Sequence, residues 1–275
     1  MIRQLRYVNS RGDEVVFAGG SGPYHFGQLD IFDTERDYRS VGSTITSFTD
    51  GIRELSLAVV MREGSAEHHN RLEDVLSYDV RTGQPGTLWA GDSYMRCWIP
   101  KRRLSDWMHY DSYCVWDCTV VTDRPHWVRT VEFELYARDD LDRGGLNYPH
   151  DYPHNYLYSA GASQVIRNPF MLPCACDIAF AGPCVQPYVI IGGNRYQVRS
   201  TVEAGQLLLV RGYGGKDIAI RHSDGTERSA FAQGVREPGA NIFAEVPVGD
   251  SVASWSGSYN VSVTLYEERT TPWWT

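Results

Sequence analysis

The chain has 275 residues and a mass of 31.1 kDa; 42% of its side chains are hydrophobic, 12% aromatic and 22% charged, which excludes a disordered tail and a small disulfide scaffold. With 26 basic against 34 acidic groups the formal charge is −8, and this argues against a phosphate-binding surface as the main function, because nucleic-acid binders concentrate basic charge. The length allows one large domain or two ordinary ones.

The amino end, Met1-Ile2-Arg3-Gln4-Leu5-Arg6, never becomes the continuous apolar stretch of an export signal. Gln4 to Val8 and Glu14 to Phe17, joined by Asn9-Ser10-Arg11-Gly12-Asp13, read as a hairpin. Gly19-Gly20-Ser21-Gly22 lacks the strand-to-helix context of a dinucleotide fingerprint and reads as a loop. Asp33 to Asp50 is polar, rich in Ser and Thr, and lies between strands. It is expected to be a long loop.

Period-two alternation then appears at Leu55, Leu57, Val59 and Met61, at Trp116, Cys118 and Val120, and at Val131, Phe133 and Leu135, so these segments bury one face of a sheet. One helix is predicted, from about Ala66 to Asp79. Ser65 is its N-cap, Glu67 suits the first turn, Leu72, Val75, Leu76 and Asp79 share a face, and Pro85-Gly86 lies beyond its end. A single short helix cannot make a core alone and is expected to cover a sheet.

Between Arg138 and Tyr158 the character changes. The run Tyr148-Pro149-His150-Asp151-Tyr152-Pro153-His154 fixes φ at each proline and extends the residue before it, so it reads as a stiff connector. The domain boundary is placed here, between 1–145 and 146–275. Beyond it no helix is predicted. Cys174, Cys176, Ile178 and Phe180 alternate, Gly182-Pro183 breaks the run, and Tyr188 to Ile191 turns through Gly192-Gly193. Gln206 to Val210 and Lys216 to Arg221 flank Gly212-Tyr213-Gly214-Gly215; Tyr259, Val261, Val263 and Leu265 form the last alternating face. Short strands with glycine-rich turns indicate an antiparallel sandwich. The longest apolar runs, such as Leu57 to Met61, fall far short of the ~20 residues a membrane helix needs, so a soluble chain is expected.

No catalytic motif emerges. Gly215-Lys216 fails as a phosphate loop because Val210 stands where an earlier glycine is needed and Asp217 where Ser or Thr is needed; a hairpin turn accounts for it. Cys174-Ala175-Cys176 with Cys184, His150 and His154 holds zinc-type donors but not paired knuckles, and residues two apart on a strand share a face. Core thiols are the reading, and likewise for Cys114 and Cys118. His68 and His69 diverge by about 100° around a helix, poor geometry for joint metal ligation, and are expected to face solvent or an interface. No G-x-S-x-G elbow is present, and carboxylate pairs of glycosidases are spatial and not visible in a sequence. No metal or cofactor is expected, and no enzyme activity. Most of the eight tryptophans and seventeen tyrosines are assigned to core or subunit interface. In Thr271-Pro272-Trp273-Trp274-Thr275 two rings of about 150–250 Å² each, at ~25 cal/mol per Å², make docking of the tail worth several kcal/mol before ordering costs.

The order of these features resembles the distal tail protein (Dit) family of long-tailed siphophages. Four stretches carry the likeness: Ser21-Gly22-Pro23-Tyr24 after the first hairpin, Arg53-Glu54-Leu55-Ser56-Leu57 leading into the helix, Asp151-Tyr152-Pro153 with Asn168-Pro169 opening the second half, and Glu267-Glu268-Arg269-Thr270-Thr271-Pro272-Trp273 at the end. The cysteine-rich Cys174 to Cys184 segment is not part of that pattern. The resemblance implies a mainly β protein with one helix: an N-terminal tail-tube-like belt sandwich over 1–145 and a C-terminal galectin-like antiparallel sandwich over 146–275. It implies a structural virion protein at the distal end of the tail, assembled in the host cytoplasm. Six belts would close into a ring hub joining the tail tube to the tip or baseplate and its receptor-binding proteins, with DNA passing through the lumen unbound and no membrane contact. On that reading Asp33, Tyr38, Arg39, Phe48, His68, His69, Trp273 and Trp274 are the interface candidates. The competing expectation is a carbohydrate-binding module for host-surface glycan, with a cell-wall hydrolase third.

Overall fold

The computed structural model of the chain describes residues 4–18, 22–62, 66–108, 113–137 and 162–273. They form two compact units, Met1–Arg129 with Glu268–Thr275, and Thr130–Glu267. The architecture is mainly β, with one α-helix among the described residues.

In unit 1, β1 (Gln4–Val8) and β2 (Glu14–Ala18) form the expected hairpin, with Leu5 opposite Phe17 and Tyr7 opposite Val15, all four buried. β3 (Tyr24–Leu29), β4 (Asp37–Val41), β5 (Thr44–Thr49) and β6 (Arg53–Met61) follow. Then come α1 (Ala66–Thr82), β7 (Gly86–Ala90), β8 (Ser93–Met108), β9 (Tyr113–Thr122) and β10 (Trp127–Leu135). β8 serves two sheets. Its first part pairs with β7, giving the order β8-β7-β1-β2, and its second part pairs with β9, which leads on to β6 and β3. The changeover falls where the register shifts between Trp98 and Lys101, around Pro100, whose nitrogen cannot donate to a ladder. Alternating residues of both sheets, such as Leu88 and Met95 with Leu57 and Val120, fill one core.

Helix α1 closes that core. Leu72, Val75, Leu76 and Asp79 are its buried face, Glu67 and Arg81 complement its dipole, and Gly83, at φ +71°, ends it. The predicted cap, Ser65, lies outside the described residues. Asp79 is fully buried. Its Oδ2 accepts a hydrogen bond from the Tyr7 hydroxyl at 2.7 Å, and its Oδ1 accepts from the Ser10 backbone N–H at 2.8 Å and the Ser10 hydroxyl at 2.6 Å. Burial, reinforced by nearby negative groups including Asp79, pushes the Tyr7 phenol far above its ordinary pKa, so it stays a donor. The same pocket explains Gly86: a Cβ there would lie 2.4 Å from Asp79 Oδ2.

Unit 2 contains β11 (Ala162–Asn168), β12 (Ala175–Ala181), β13 (Cys184–Val185), β14 (Tyr188–Ile191), β15 (Asn194–Gln197), β16 (Thr201–Val202) and β17 (Leu207–Arg211). β18 (Asp217–Arg221), β19 (Glu227–Ser229), β20 (Arg236–Glu237), β21 (Ala240–Asn241), β22 (Gly249–Trp255) and β23 (Val261–Arg269) complete it. One sheet runs β19-β18-β17-β12-β23 and the other β11-β22-β14-β15. The pairs within both are antiparallel. Ile178, Phe180, Leu208 and Val263 from the first sheet and Ile166, Val189, Ile191 and Trp255 from the second share one core, which is a sandwich. A three-residue 3₁₀ turn, Phe231–Gln233, is its sole helical feature among the described residues.

The division between the units falls within β10, at Arg129/Thr130, and within β23, at Glu267/Glu268. The connector read at Arg138–Tyr158, and with it the expected boundary at 145/146, lies outside the described residues.

Replacing Asp79 with Ala strands the Tyr7 hydroxyl and the Ser10 amide, and is expected to cost about 2–4 kcal/mol. Gly86→Ala is expected to cost about 1–3 kcal/mol through overpacking against the same carboxylate. Urea unfolding of both variants measures this; stability equal to that of the parent would disprove the role of the Asp79 pocket.

Candidate functional site

The most exposed ordered element lies where the sequence predicts a loop. Asp33 to Asp50 is instead largely a two-stranded ribbon, β4 paired with β5, and every residue from Asp33 to Asp50 is exposed. Its turn is Gly42-Ser43 between the paired Val41 and Thr44, and Gly42 adopts φ +60°, the left-handed geometry that a tight two-residue hairpin requires. At the base, Asp50 sits 3.1 Å from Arg36 Nε and 3.2 Å from His126 Nε2.

The ribbon has an apolar side. Tyr38 pairs with Phe48, so the two rings share a face. Simple alternation would send Ile45, three residues before Phe48, to the opposite face. A register shift between Arg39 and Ser40 skips Thr46: Arg39 pairs with Ser47 and Ser40 with Ile45. The bulge therefore returns Ile45 to the Tyr38/Phe48 side, and the Thr46 hydroxyl donates to the Arg39 carbonyl at 3.1 Å. Tyr38 and Phe48 are each 63% exposed and Ile45 51%. A lone two-stranded ribbon is marginal in water, and covering these three side chains would return on the order of several kcal/mol.

The other predicted interface residues are dispersed. Arg39 lies on the opposite face of the ribbon, and Asp33 precedes it, its backbone N–H donating to the Asp30 carbonyl at 3.2 Å. His68 and His69 are half-buried. The His68 ring meets Tyr24 edge-on at 6.0 Å, and His69 meets Trp116 at 6.2 Å with its Nε2 4.0 Å from the Cys114 sulfur. Their divergence on α1 sends each to a different partner within unit 1. Trp273 is half-buried against the unit 1 core, with the Arg129 and Arg269 guanidinium carbons each 4.8 Å from its ring centroid. Trp274 lies outside the described residues.

All six cysteines are buried and free. Cys114 and Cys118 lie in the first core, Cys174, Cys176 and Cys184 in the second. Burial pushes Cys118 up to about 12 and Cys174 and Cys184 up to about 11. Among the described residues no cluster of His, Cys, Asp and Glu is arranged to hold a metal, and no helix is long and apolar enough to cross a membrane.

Sequence reasoning missed a second feature, a polar cavity of about 530 Å³ in unit 2 between β13, β16 and the β18–β19 hairpin. Gln186, at its edge, has φ +47°, unusual for a residue with a side chain.

No family model and no curated protein matches the chain. Solved structures do resemble it. A chain of the phage P2 baseplate in its activated conformation with Ca superposes with a TM-score of 0.60 at 11% identity, covering 99% of this chain and 100% of that one. A chain of the same baseplate with Sr gives 0.58 at 11%, covering 98% and 99%. The crystal structure of the SPP1 Dit protein, described as a paradigm of the hub adsorption apparatus in phages infecting Gram-positive bacteria, gives 0.53 at 10%, covering 90% and 94%. At such identities the likeness establishes the fold, over nearly the whole length of each chain.

The thiols supply a prediction. Because their folded pKa values are raised, the stability held by neutral Cys118, Cys174 and Cys184 is complete below the ordinary thiol pKa and falls as pH rises from about 9 through 11 to 12. The native protein is expected to resist iodoacetamide at pH 8, and to take up six labels per chain only in denaturant. Rapid native labelling, followed by mass spectrometry, would contradict this.

Proposed function

We propose that the chain is a structural virion protein of the distal tail type, a hub at the end of a long phage tail. The observation that carries this reading is the fold likeness, which spans both units and nearly all of the P2 baseplate chain and of SPP1 Dit. On this reading unit 1 is a ring-forming belt and unit 2 a galectin-like sandwich. Six copies close into a ring that joins the tail tube to the tip or baseplate and its receptor-binding proteins. The exposed ribbon β4–β5 supports it: a closed ring is a heterologous assembly, in which one surface of a subunit must meet a different surface of the next. A ribbon bearing Tyr38, Ile45 and Phe48 on one side, with free strand edges, suits such a contact. Among the predicted interface residues, Tyr38 and Phe48 are its core, while Arg39 lies on the other face of the ribbon and Asp33 precedes it. A formal charge of −8 suits a lumen through which DNA slides without adhering.

The carbohydrate-binding alternative draws on the aromatic content, yet Trp127 and Trp255 are buried in the two cores and Trp273 is packed on the first. Trp116 also packs on the first core, and the half-buried rings of Trp89 and Trp98 are covered by the Arg6 and Arg96 guanidiniums, at 4.8 and 5.5 Å from their centroids.

Light scattering on the purified chain, with negative-stain images, is expected to show annular particles near six times 31.1 kDa. The double variant Tyr38→Asp/Phe48→Asp alters only exposed positions, so it should keep the parental circular dichroism and melting temperature while losing the annular species. Rings that persist in the double variant would remove the ribbon's apolar side from the interface; a strictly monomeric parent at high concentration would overturn the hub itself.

A further inference from the structure

The polar cavity of unit 2 is lined by Arg199, Arg228, His222, Gln206, Gln233 and Glu203, with Ser200 and Thr201. Its size is that of a pocket for a small ligand, and its walls are held in place. Val185 pairs with Thr201, the Gln186 N–H donates to the Ser200 carbonyl at 2.7 Å, and the Arg199 N–H donates to the Gln233 carbonyl at 2.8 Å. Gln206 bridges two walls: its Oε1 accepts from the Glu203 N–H at 3.1 Å, and its Nε2 is 3.2 Å from His222 Nδ1. Gln186 holds its left-handed backbone at the rim, the kind of locally costly conformation that gathers at binding sites.

The lining chemistry selects the ligand. It contains no Phe, Tyr or Trp ring, so a neutral pyranose would lack the large apolar face that such rings offer for stacking. It brings two guanidiniums and an imidazole against one carboxylate, Glu203. Arg199 is shared with Glu237 at 3.1 Å, whereas Arg228 has no carboxylate partner among the described residues. A guanidinium fork matches a phosphate bidentately, and the glutamine amides and the hydroxyls of Ser200 and Thr201 can serve the hydroxyl groups of a polyol. We propose that this cavity binds a phosphorylated polyol or sugar, with Arg228 and Arg199 on the phosphate and the Gln206–His222 wall on the hydroxyls. The site lies wholly within unit 2 and does not depend on whether the chain forms a ring.

Glycerol 3-phosphate is the probe, titrated against the full-length chain by saturation-transfer NMR, with glycerol and inorganic phosphate as competitors. Saturable binding is expected. Arg228→Gln should weaken it about tenfold, the loss of one charge-assisted contact, and Gln206→Ala should weaken glycerol 3-phosphate while leaving inorganic phosphate unchanged. Arg228 is exposed and outside the core, so circular dichroism should match the parent. Absence of saturable binding, equal affinity in parent and Arg228→Gln, or inorganic phosphate binding as tightly as glycerol 3-phosphate would each overturn the proposal.

Discussion

A chain built almost wholly of antiparallel strands can bury apolar surface in few ways, and each leaves edges to be dealt with. Unit 1 solves the problem with one 16-residue strand, β8, that serves two sheets and lets a single core fill the space between them, closed by α1. Unit 2 uses two separate sheets face to face. Among the described residues the β4–β5 ribbon does not meet the same constraint: its strands pair only with each other, and its apolar side is exposed. That unmet requirement is what the proposed contact with another subunit would satisfy.

Within both units a carboxylate, rather than an ion pair, fixes the irregular parts. Asp79 gathers the Tyr7 and Ser10 donors and so binds α1 to the first hairpin. Asp177 does the equivalent in unit 2: its Oδ1 accepts from the N–H groups of Gly212 and Tyr213, and its Oδ2 from the Tyr266 hydroxyl, while the Tyr213 and Tyr266 rings stack at 4.3 Å. Gly212 is obligatory there, because a Cβ would come within 2.4 Å of the Cys176 carbonyl. Carboxylates that are fully engaged by backbone and hydroxyl donors hold turns in place without needing a cation, which suits a unit that must keep its shape while its outer surface does the work.

What the sequence made legible follows from period. Leu55, Leu57, Val59 and Met61 alternate without interruption and are buried as a set; Leu72, Val75, Leu76 and Asp79 keep helical spacing and share one face. Cys174 and Cys176, read as core thiols because they are two apart on a strand, lie together in the second core. The ribbon escaped because its bulge at Thr46 breaks the alternation between Ile45 and Phe48, and because its Ser and Thr content imitates a loop. The usable signal was Gly42-Ser43 between Val41 and Thr44, a two-residue turn between β-branched residues. For the histidines, helical geometry says that His68 and His69 diverge, but not that Tyr24 and Trp116 wait on either side. The cavity left no trace in the sequence, since its walls come from residues between Val185 and Gln233 that only folding brings together.

The charge distribution reconciles an acidic chain with a cationic cavity. A formal charge of −8 sets the sign of the field at a distance, where it repels a long polyanion, and salt screens that field beyond about 10 Å. On the proposal above, Arg228 and Arg199 would act on a small phosphate only at contact distance. The acidic net charge and the proposed phosphate contact are therefore compatible, because the two effects operate over different lengths. Likewise, on the two proposals the apolar ribbon of unit 1 and the polar recess of unit 2 suit different chemistry, protein in the first case and a small anion in the second.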